Sequence, residues 1–212
     1  MEKVVIISGG TKGLGKSLVR LFKKGGWLVS SFGRSVSRNG IESDTGILWT
    51  KADMRFESDI DIVIKRTMEE FGPPNVLILN AGTISPCKEI VDDSILNLRK
   101  NFEINVFANT YLTQLFLANS KNGLVVHITS DVSKTPALGW SFYGSSKSAM
   151  DYIIRALTVE VPDSRFLSID PGDMATEMHF IADPTADSDE LQSPEKAAES
   201  VFQKIISEAG AV

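Results

Sequence analysis

A tyrosine and a lysine four residues apart are the side chains of this sequence whose types and spacing best suit proton transfer. In Tyr143-Gly-Ser-Ser-Lys147 the spacing puts both on one face of a predicted helix. A phenol with a pKa of about 10 is a poor base at neutral pH, but a cation about 4 Å away lowers that pKa by about 3 units at an effective dielectric of about 20. The pair therefore predicts a proton-transferring tyrosine whose pKa is lowered by Lys147.

Ser130 strengthens this interpretation, because a Tyr-x-x-x-Lys pair is common by chance. It ends the stretch Val-Val-His-Ile-Thr-Ser, which predicts a buried strand. Ligands of open parallel sheets bind at the carboxyl ends of the strands, and a hydroxyl group there can hold a carbonyl oxygen.

The segment Ser-Gly-Gly-Thr-Lys-Gly-Leu-Gly at residues 8–15 follows the first predicted strand and fits two nucleotide-binding patterns. Gly9, Gly13 and Gly15 match a dinucleotide loop, in which glycines let the backbone approach a pyrophosphate. Residues 10–17 match the P-loop pattern, which taken alone predicts ATP or GTP. A turn that binds no ligand is the third alternative.

The residues about 20 positions after this loop favour the dinucleotide and specify its type. They read Phe-Gly-Arg34-Ser, and no acidic residue occurs from Trp27 to Ile41. Dinucleotide folds place an acid here for a free ribose 2′-hydroxyl and an arginine for a 2′-phosphate. A guanidinium binds phosphate bidentately, and Lys12 supplies a second cation nearby. The sequence thus predicts NADP(H) rather than NAD(H).

Short apolar runs alternating with segments of helical spacing must position these residues. The runs predict strands at 3–8, 27–32, 47–51, 76–79, 124–128 and 165–170, and the spacing predicts helices at 14–25, 57–71, 92–119, 142–160 and 194–208. The fold class is therefore α/β, a doubly wound Rossmann-like parallel sheet of about six strands with helices on both faces. Breakers and small residues predict a mobile, partly helical lid over the substrate at about 173–192.

Composition narrows the remaining possibilities. A chain of 212 residues, 42% of them hydrophobic, is expected to form a single domain over 1–212, and its net charge of −5 argues against nucleic-acid partners. Its apolar runs are shorter than the roughly 20 residues that cross a membrane, and a lone Cys87 with no apparent leader indicates the cytoplasm. His127 and His179 lack Cys or carboxylate clusters, so no metal site is expected.

From residue 3 to about 178, the order of these motifs resembles the short-chain dehydrogenase/reductase family. The resemblance implies that Asn105 positions a water, Ser130 orients the substrate, Tyr143 is the acid/base, and Lys147 binds the nicotinamide ribose. It further implies that Asp53 contacts adenine and that Asn80-Ala81-Gly82 flanks the cofactor. The residues expected to bind the cofactor are Ser8, Gly9, Thr11, Lys12, Gly13, Leu14, Gly15, Arg34, Asp53, Met54, Asn80, Ala81, Gly82, Lys147, Pro171, Gly172 and Thr176.

The implied function is an NADP(H)-dependent oxidoreductase that moves hydride between the nicotinamide and a small carbonyl or alcohol substrate. The alternatives are a non-catalytic NADP(H)-binding sensor or scaffold, and a P-loop NTPase, which explains only residues 10–17. The resemblance also implies a homodimer or homotetramer assembled through the helices near 95–119 and 142–160.

Several features are left open by the sequence. The family often adds a seventh strand after its last helix, for which the segment Ser-Glu-Ala-Gly-Ala-Val at 207–212 is short. The connection from 33 to 46 is also brief, so its usual helix is expected to be reduced. Around the site, the side chains that form either an apolar substrate wall or lid packing are Trp140, Phe142, Met174, Met178 and Phe180.

Overall fold

The computed structural model describes residues 2–36, 40–41 and 46–210. Its strands are β1 (Val4–Ser8), β2 (Leu28–Gly33), β3 (Gly40–Ile41), β4 (Leu48–Lys51), β5 (Val76–Leu79), β6 (Leu124–Ile128) and β7 (Arg165–Ile169). Its helices are α1 (Gly13–Lys24), α2 (Glu57–Phe71), α3 (Ile95–Phe102), α4 (Asn109–Asn119), α5 (Ser141–Glu160), α6 (Glu177–Ala182) and α7 (Pro194–Ala209).

The strands form one sheet in the order β3-β4-β2-β1-β5-β6-β7. Six of them pair in parallel, which confirms the predicted doubly wound α/β architecture, and the short β3 runs antiparallel to β4. The strand order changes direction between β1 and β5, so a crevice opens there at the carboxyl ends of the strands. In the chain as described to residue 210, no strand follows α7.

Apolar side chains pack on both faces of the sheet, because successive residues of a strand point to opposite sides. On one face, Val5 and Ile7 of β1 pack with α1 and α7. On the other face, Ile6 packs with α2, α4 and α5. A strand buried on both sides needs a continuous apolar run, and Val-Val-Ile-Ile supplies one in β1.

The helix predicted at 92–119 begins later and is interrupted. Ser94 is its N-cap and accepts a hydrogen bond from the Leu96 N–H, so α3 starts at Ile95. A π-helical turn, Glu103–Ala108, separates α3 from α4 and contains Asn105. Such turns are often found at functional sites, where the wider spacing re-aims side chains.

The predicted lid contains one short helix, α6, and is tied to the segment before α7. Met174 forms a β-bridge with Gln192, whose side chain also donates to the Pro171 carbonyl at 2.6 Å. The predicted mobility of this segment stays a prediction. The expected reduction of the helix between 33 and 46 falls largely outside the described residues. No helix in the described ranges is long and apolar enough to cross a membrane.

Candidate active site

A cleft of about 1450 Å³ lies at the carboxyl ends of the parallel strands, between the glycine loop, the end of β6 and the α6 segment. All of the residues that the sequence predicts for the site fall within the described ranges, and all but Ser8 and Asn105 line this cleft. Both exceptions are completely buried. The fold therefore brings together residues that are more than 160 positions apart, from Gly9 to Thr176.

The glycine loop takes conformations that suit glycine. Gly9 and Gly13 have φ angles of 69° and 50°, in the left-handed region. Gly15 has no room for a side chain, because a Cβ there would overlap with the Gly9 carbonyl oxygen and the Asn80 amide. The backbone of the loop can thus approach a ligand more closely than any other residue type would allow.

Ser8 does not line the cleft, but it hydrogen-bonds residues that do. Its hydroxyl group donates to the Ile78 carbonyl at 3.2 Å and accepts from the Asn80 and Ala81 N–H groups at 3.0 and 2.9 Å. The Asn80 side chain in turn donates to the Ser8 carbonyl at 2.8 Å. The hydroxyl group of Ser8 thus joins β1 to the turn after β5, and its predicted contact with the cofactor stays a prediction.

The first turn of α1 is open to an anion. Lys12 occupies the N-cap position and, within the described residues, makes no side-chain capping bond, and the first turn contains no acidic residue. The backbone N–H groups of this turn have no intrahelical partner and are available to a ligand, at the positive end of the helix dipole. This arrangement and the absence of a Cβ at Gly15 both fit a dinucleotide pyrophosphate.

The same helix argues against the P-loop pattern. A P-loop serine has to offer its hydroxyl group to a magnesium ion beside the phosphates. Ser17 is buried instead, with its hydroxyl group 3.4 Å from both the Gly13 carbonyl and the Glu195 carboxylate. The hydroxyl group that a P-loop would offer to magnesium is therefore hydrogen-bonded within the protein.

Two arginines, Arg34 and Arg55, line the part of the cleft that is expected to hold the adenosine ribose. Arg34 is exposed and lines the cleft, as the sequence predicts. Arg55, which the sequence analysis missed, grips Asp53 with Nη2–Oδ2 and Nε–Oδ1 distances of 2.6 and 3.1 Å. Hydrogen bonds from Arg55 hold the pKa of Asp53 below its ordinary value, and the charge of Arg34 adds to this.

Lys12 does not act as a second free cation beside Arg34. Its ammonium group bonds the Glu177 carboxylate of α6 at 2.7 Å, with both side chains 68% exposed. The sequence analysis missed this partner because Glu177 lies 165 positions away. The ion pair joins the glycine loop to α6 across the cleft.

Ser130, Tyr143 and Lys147 all line the cleft. Lys147 is buried, and its ammonium group donates to the Ile128 carbonyl at 2.7 Å and lies 5.6 Å from the centre of the Tyr143 ring. The Ser130 hydroxyl group donates to the Asp131 carboxylate at 3.0 Å. The hydroxyl group, the phenol and the ammonium group predicted for catalysis therefore face one space.

The predicted lowering of the Tyr143 pKa is wrong for this structure. Burial raises the pKa of Tyr143 above its ordinary value, and the nearby charges of Asp170 and Asp131 add to the shift. Burial also lowers the pKa of Lys147 to about 8, against the opposing effects of Asp151 and Asp170. A low-dielectric wall disfavours both charged forms, and the sequence estimate contained no such desolvation.

Asn105 is buried with its carboxamide fully engaged. Its Oδ1 accepts from the Thr83 N–H at 2.8 Å, and its Nδ2 donates to the Thr83 carbonyl and the Ser146 hydroxyl group, each at 2.9 Å. The side chain thus joins the π-helical turn to α5 and to the segment after β5. Its predicted role in positioning a water stays a prediction.

The apolar residues proposed for a substrate wall divide into two groups. Trp140, Met174 and Met178 line the cleft, and Trp140 packs edge-on against Tyr143 with ring centres 5.9 Å apart. Phe142 and Phe180 do not line it, and Phe180 packs edge-on against His179 of the same helix. Among the described residues, no three His, Cys, Asp or Glu side chains group together as a metal site.

Comparison with known proteins places this arrangement among oxidoreductases. Residues 3–185 match the profile of the family described as short chain dehydrogenase. The chain is 32% identical over 189 residues to an 11-beta-hydroxysteroid dehydrogenase A of Sesamum indicum, covering 83% of this chain and 53% of that protein, so it spans about half of the relative's length. It is 29% identical to a Bacillus subtilis benzil reductase, (S)-benzoin forming, covering 84% of this chain and 77% of the relative.

Solved structures agree with these sequence relatives. An alcohol dehydrogenase from Thermococcus sibiricus complexed with 5-hydroxy-NADP superposes with a TM-score of 0.87 at 25% identity, covering 97% of this chain and 91% of that one. The KRED1-Pglu enzyme superposes with a TM-score of 0.87 at 26% identity, covering 95% and 93% of the two chains.

Proposed function

The chain belongs to the short-chain dehydrogenase family, and from this membership we propose that it catalyses the NADP(H)-dependent interconversion of a carbonyl compound and an alcohol. The observation that carries the proposal is that Ser130, Tyr143 and Lys147 line the same cleft as the uncapped N-terminus of α1. Family membership also leaves no place for the P-loop NTPase alternative.

In the reductive direction, bound NADPH supplies hydride to the carbonyl carbon of the substrate. The chain holds the carbonyl oxygen and delivers a proton to it. The Ser130 hydroxyl group turns from Asp131 to donate to that oxygen, and the Tyr143 phenol gives up its proton to the same atom. The ammonium group of Lys147, fixed by the Ile128 carbonyl, stabilises the phenolate that forms.

The electrostatics of Tyr143 determine which form of the phenol is present before the reaction. Reduction begins with a protonated phenol, whereas oxidation begins with a phenolate. Burial raises the pKa of Tyr143, so the phenol stays protonated at neutral pH. At rest, Tyr143 can therefore act as the proton donor in the reductive direction.

The cofactor preference rests on Arg34. An Arg34→Asp variant is expected to bind NADPH about 10²-fold more weakly, because a charge-assisted contact to the 2′-phosphate is lost and a like charge takes its place. The affinity for NADH, which lacks this phosphate, is expected to change much less. Fluorescence titration with both dinucleotides measures the two affinities.

Lys65→Asp is the matched control, because it makes the same charge change at an exposed position on α2, away from the cleft and from the proposed assembly surface. Its NADPH affinity is expected to equal that of the wild type. If Arg34→Asp leaves both dinucleotide affinities unchanged, Arg34 does not read the phosphate and the proposed preference for NADP(H) has no basis.

We propose bulky, apolar carbonyl compounds as the substrate class, because Trp140, Met174 and Met178 line the cleft near Tyr143. A relative named for reducing benzil, an aromatic diketone, supports this choice. The direct test follows NADPH absorbance with a panel of aldehydes, ketones and diketones. Binding of NADPH without turnover of any of them would favour a non-catalytic NADP(H)-binding sensor or scaffold instead.

A homodimer or homotetramer is proposed from exposed apolar side chains on the helices expected to assemble it. They lie on α3, the π-helical turn and α5, and they are Ile95, Phe107, Tyr152 and Val159. Light scattering is expected to give at least twice the chain mass of 23.2 kDa. A Phe107→Glu variant is expected to shift the protein toward one chain mass, and a wild-type protein of one chain mass would refute the assembly.

A cytoplasmic location belongs to the same proposal. It is supported by the single cysteine, Cys87, since proteins of oxidising compartments of this size commonly carry paired cysteines. Burial raises the pKa of Cys87 to about 11, with Asp183 and Asp93 adding to the shift, so the thiol is also poorly reactive.

A further inference from the structure

Asp151 is a buried carboxylate one helical turn beyond Lys147 on α5. The residue is only 4% exposed. Its neighbours Met150 and Ile154 on the same helix belong to an apolar cluster. Its Oδ2 accepts from the Thr129 hydroxyl group at 2.7 Å, and its Oδ1 lies 3.1 Å from Nδ1 of His127. Burying a charge costs free energy unless the charge is paired or fully hydrogen-bonded. The burial of the Asp151 carboxylate therefore depends on its hydrogen-bond partners.

The partners of Asp151 establish its charge. Burial raises the pKa of Asp151, but hydrogen bonds from His127, Thr129, Ser168 and Ser133 outweigh burial and hold that pKa well below its ordinary value. Burial lowers the pKa of His127 to about 4, so the imidazole is neutral at pH 7. A carboxylate only accepts, so Nδ1 carries the imidazole proton, and Asp151 with His127 bears one net negative charge.

Two of these partners, His127 and Thr129, lie beside the groups that orient Lys147 and Ser130. His127 and Thr129 flank Ile128, whose carbonyl holds the Lys147 ammonium group at 2.7 Å. Thr129 also immediately precedes Ser130. Asp151 therefore joins α5 to the short stretch of β6 from which both Lys147 and Ser130 are oriented.

We propose that Asp151 is a positioning residue, which fixes the end of β6 beneath Ser130 and keeps the Lys147 ammonium group charged through its own negative charge. The proposal rests on the proposed function, because it assigns a purpose to Asp151 only if Ser130 and Lys147 act on a substrate. Asp151 itself does not line the cleft, so it acts through its neighbours.

The charged and polar groups around Lys147 give the sign of the effect. Asp151 on the same helix and Asp170 after β7 both raise the pKa of Lys147, against the burial that lowers it to about 8. The neutral His127 contributes no full charge, and the Ile128 carbonyl accepts from the ammonium group. Removing the charge of Asp151 therefore lowers the pKa of Lys147 further, and the ammonium group loses its proton at a lower pH.

The test is an Asp151→Asn variant, which keeps the shape of the side chain and removes its charge. The alkaline limb of the kcat/KM profile for NADPH-dependent reduction is expected to move about one pH unit lower than in the wild type. Turnover at neutral pH is expected to fall about tenfold, because Ser130 and Lys147 lose their fixed geometry. The matched control is Asp61→Asn on α2, whose carboxylate accepts from the half-buried Tyr111 at 2.8 Å, and its profile is expected to match that of the wild type.

A Thr129→Val variant separates the positioning of the end of β6 from the charge of Asp151. It also tests the positioning role if Asp151→Asn does not fold. It removes the hydrogen bond to Asp151 but no charge, so kcat is expected to fall while the alkaline limb stays in place. Thr67→Val is its control, because Thr67 is a buried threonine that bonds Ser30 and the Val63 carbonyl away from the cleft. Thr67→Val is expected to lower the melting temperature without changing kcat.

Wild-type kcat and an unmoved alkaline limb in a folded Asp151→Asn, or wild-type kcat in Thr129→Val when Asp151→Asn does not fold, would overturn the positioning role. That result differs from failure of the proposed function itself, which would appear as full turnover in Tyr143→Phe or as no turnover in the wild type.

Discussion

Replacing Tyr143 with Phe is expected to lower kcat for carbonyl reduction by about 10³-fold, because the ring stays and the only atom lost is the oxygen that carries the transferred proton. The ring packs against Trp140 and lies under the Lys147 ammonium group, and neither contact needs the hydroxyl group. The fold and the NADPH affinity are therefore expected to stay close to those of the wild type. Initial rates of NADPH consumption, measured beside a binding titration, separate these effects.

Tyr152→Phe is the matched control for this experiment. It makes the same chemical change nine residues further along α5, at a residue that is 67% exposed. Its turnover is expected to equal that of the wild type. Full turnover by Tyr143→Phe would remove Tyr143 from the chemistry, and the proton would then have to come from Ser130 or from solvent.

The fold was predictable because its elements have strong local signals. Continuous apolar runs such as Val-Val-Ile-Ile in β1 are typical of strands that are buried on both faces, and Ser193-Pro194 marks the start of α7. The short antiparallel β3 gave no such signal, since two residues cannot form a pattern. The π-helical turn escaped for a different reason, because helical spacing alone does not distinguish it from an α-helix and the partners of its Asn105 lie 22 and 41 positions away.

The members of the site were predictable where a motif places them, but their partners were not. Arg55, Glu177 and Asp151 all bond residues that the sequence singled out or their immediate neighbours. Glu177 is 165 positions from Lys12, and only the folded sheet brings them together. Asp151 follows Lys147 by one helical turn, so its face of α5 was readable, but its bonds to β6 were not.

The direction of the Tyr143 pKa shift is a further limit of sequence reasoning. A lysine four residues away supplies a Coulombic argument, and that argument predicts a lower pKa. Burial and the carboxylates of Asp170 and Asp131 are properties of the assembled wall, and together they raise it. A motif thus identifies the groups that exchange the proton, while the surrounding fold determines which protonation state is at rest.

A second large effect, on cofactor binding, is expected from the glycine loop. A Gly15→Ala variant is expected to bind NADPH about 10²-fold more weakly, because the loop has to move from the position in which its backbone can approach the pyrophosphate. The added Cβ would overlap with the main-chain oxygen of Gly9, and main chain yields less readily than the end of a flexible side chain. It would also displace the Asn80 amide, which bonds the carbonyls of Ser8 and Gly9. Titration of NADPH fluorescence measures the loss.

Gly25→Ala, at the other end of α1, distinguishes this clash from a general effect of alanine. Gly25 has a φ angle of −76°, and an added Cβ would lie 3.3 Å from the edge of the Phe202 ring, a side chain able to shift slightly. Its NADPH affinity is expected to match that of the wild type. Both variants are expected to fold, since overpacking of this kind costs about 1–3 kcal/mol of unfolding free energy. Wild-type affinity in Gly15→Ala would mean that the pyrophosphate does not lie against this loop, and the dinucleotide would then have to bind elsewhere in the cleft.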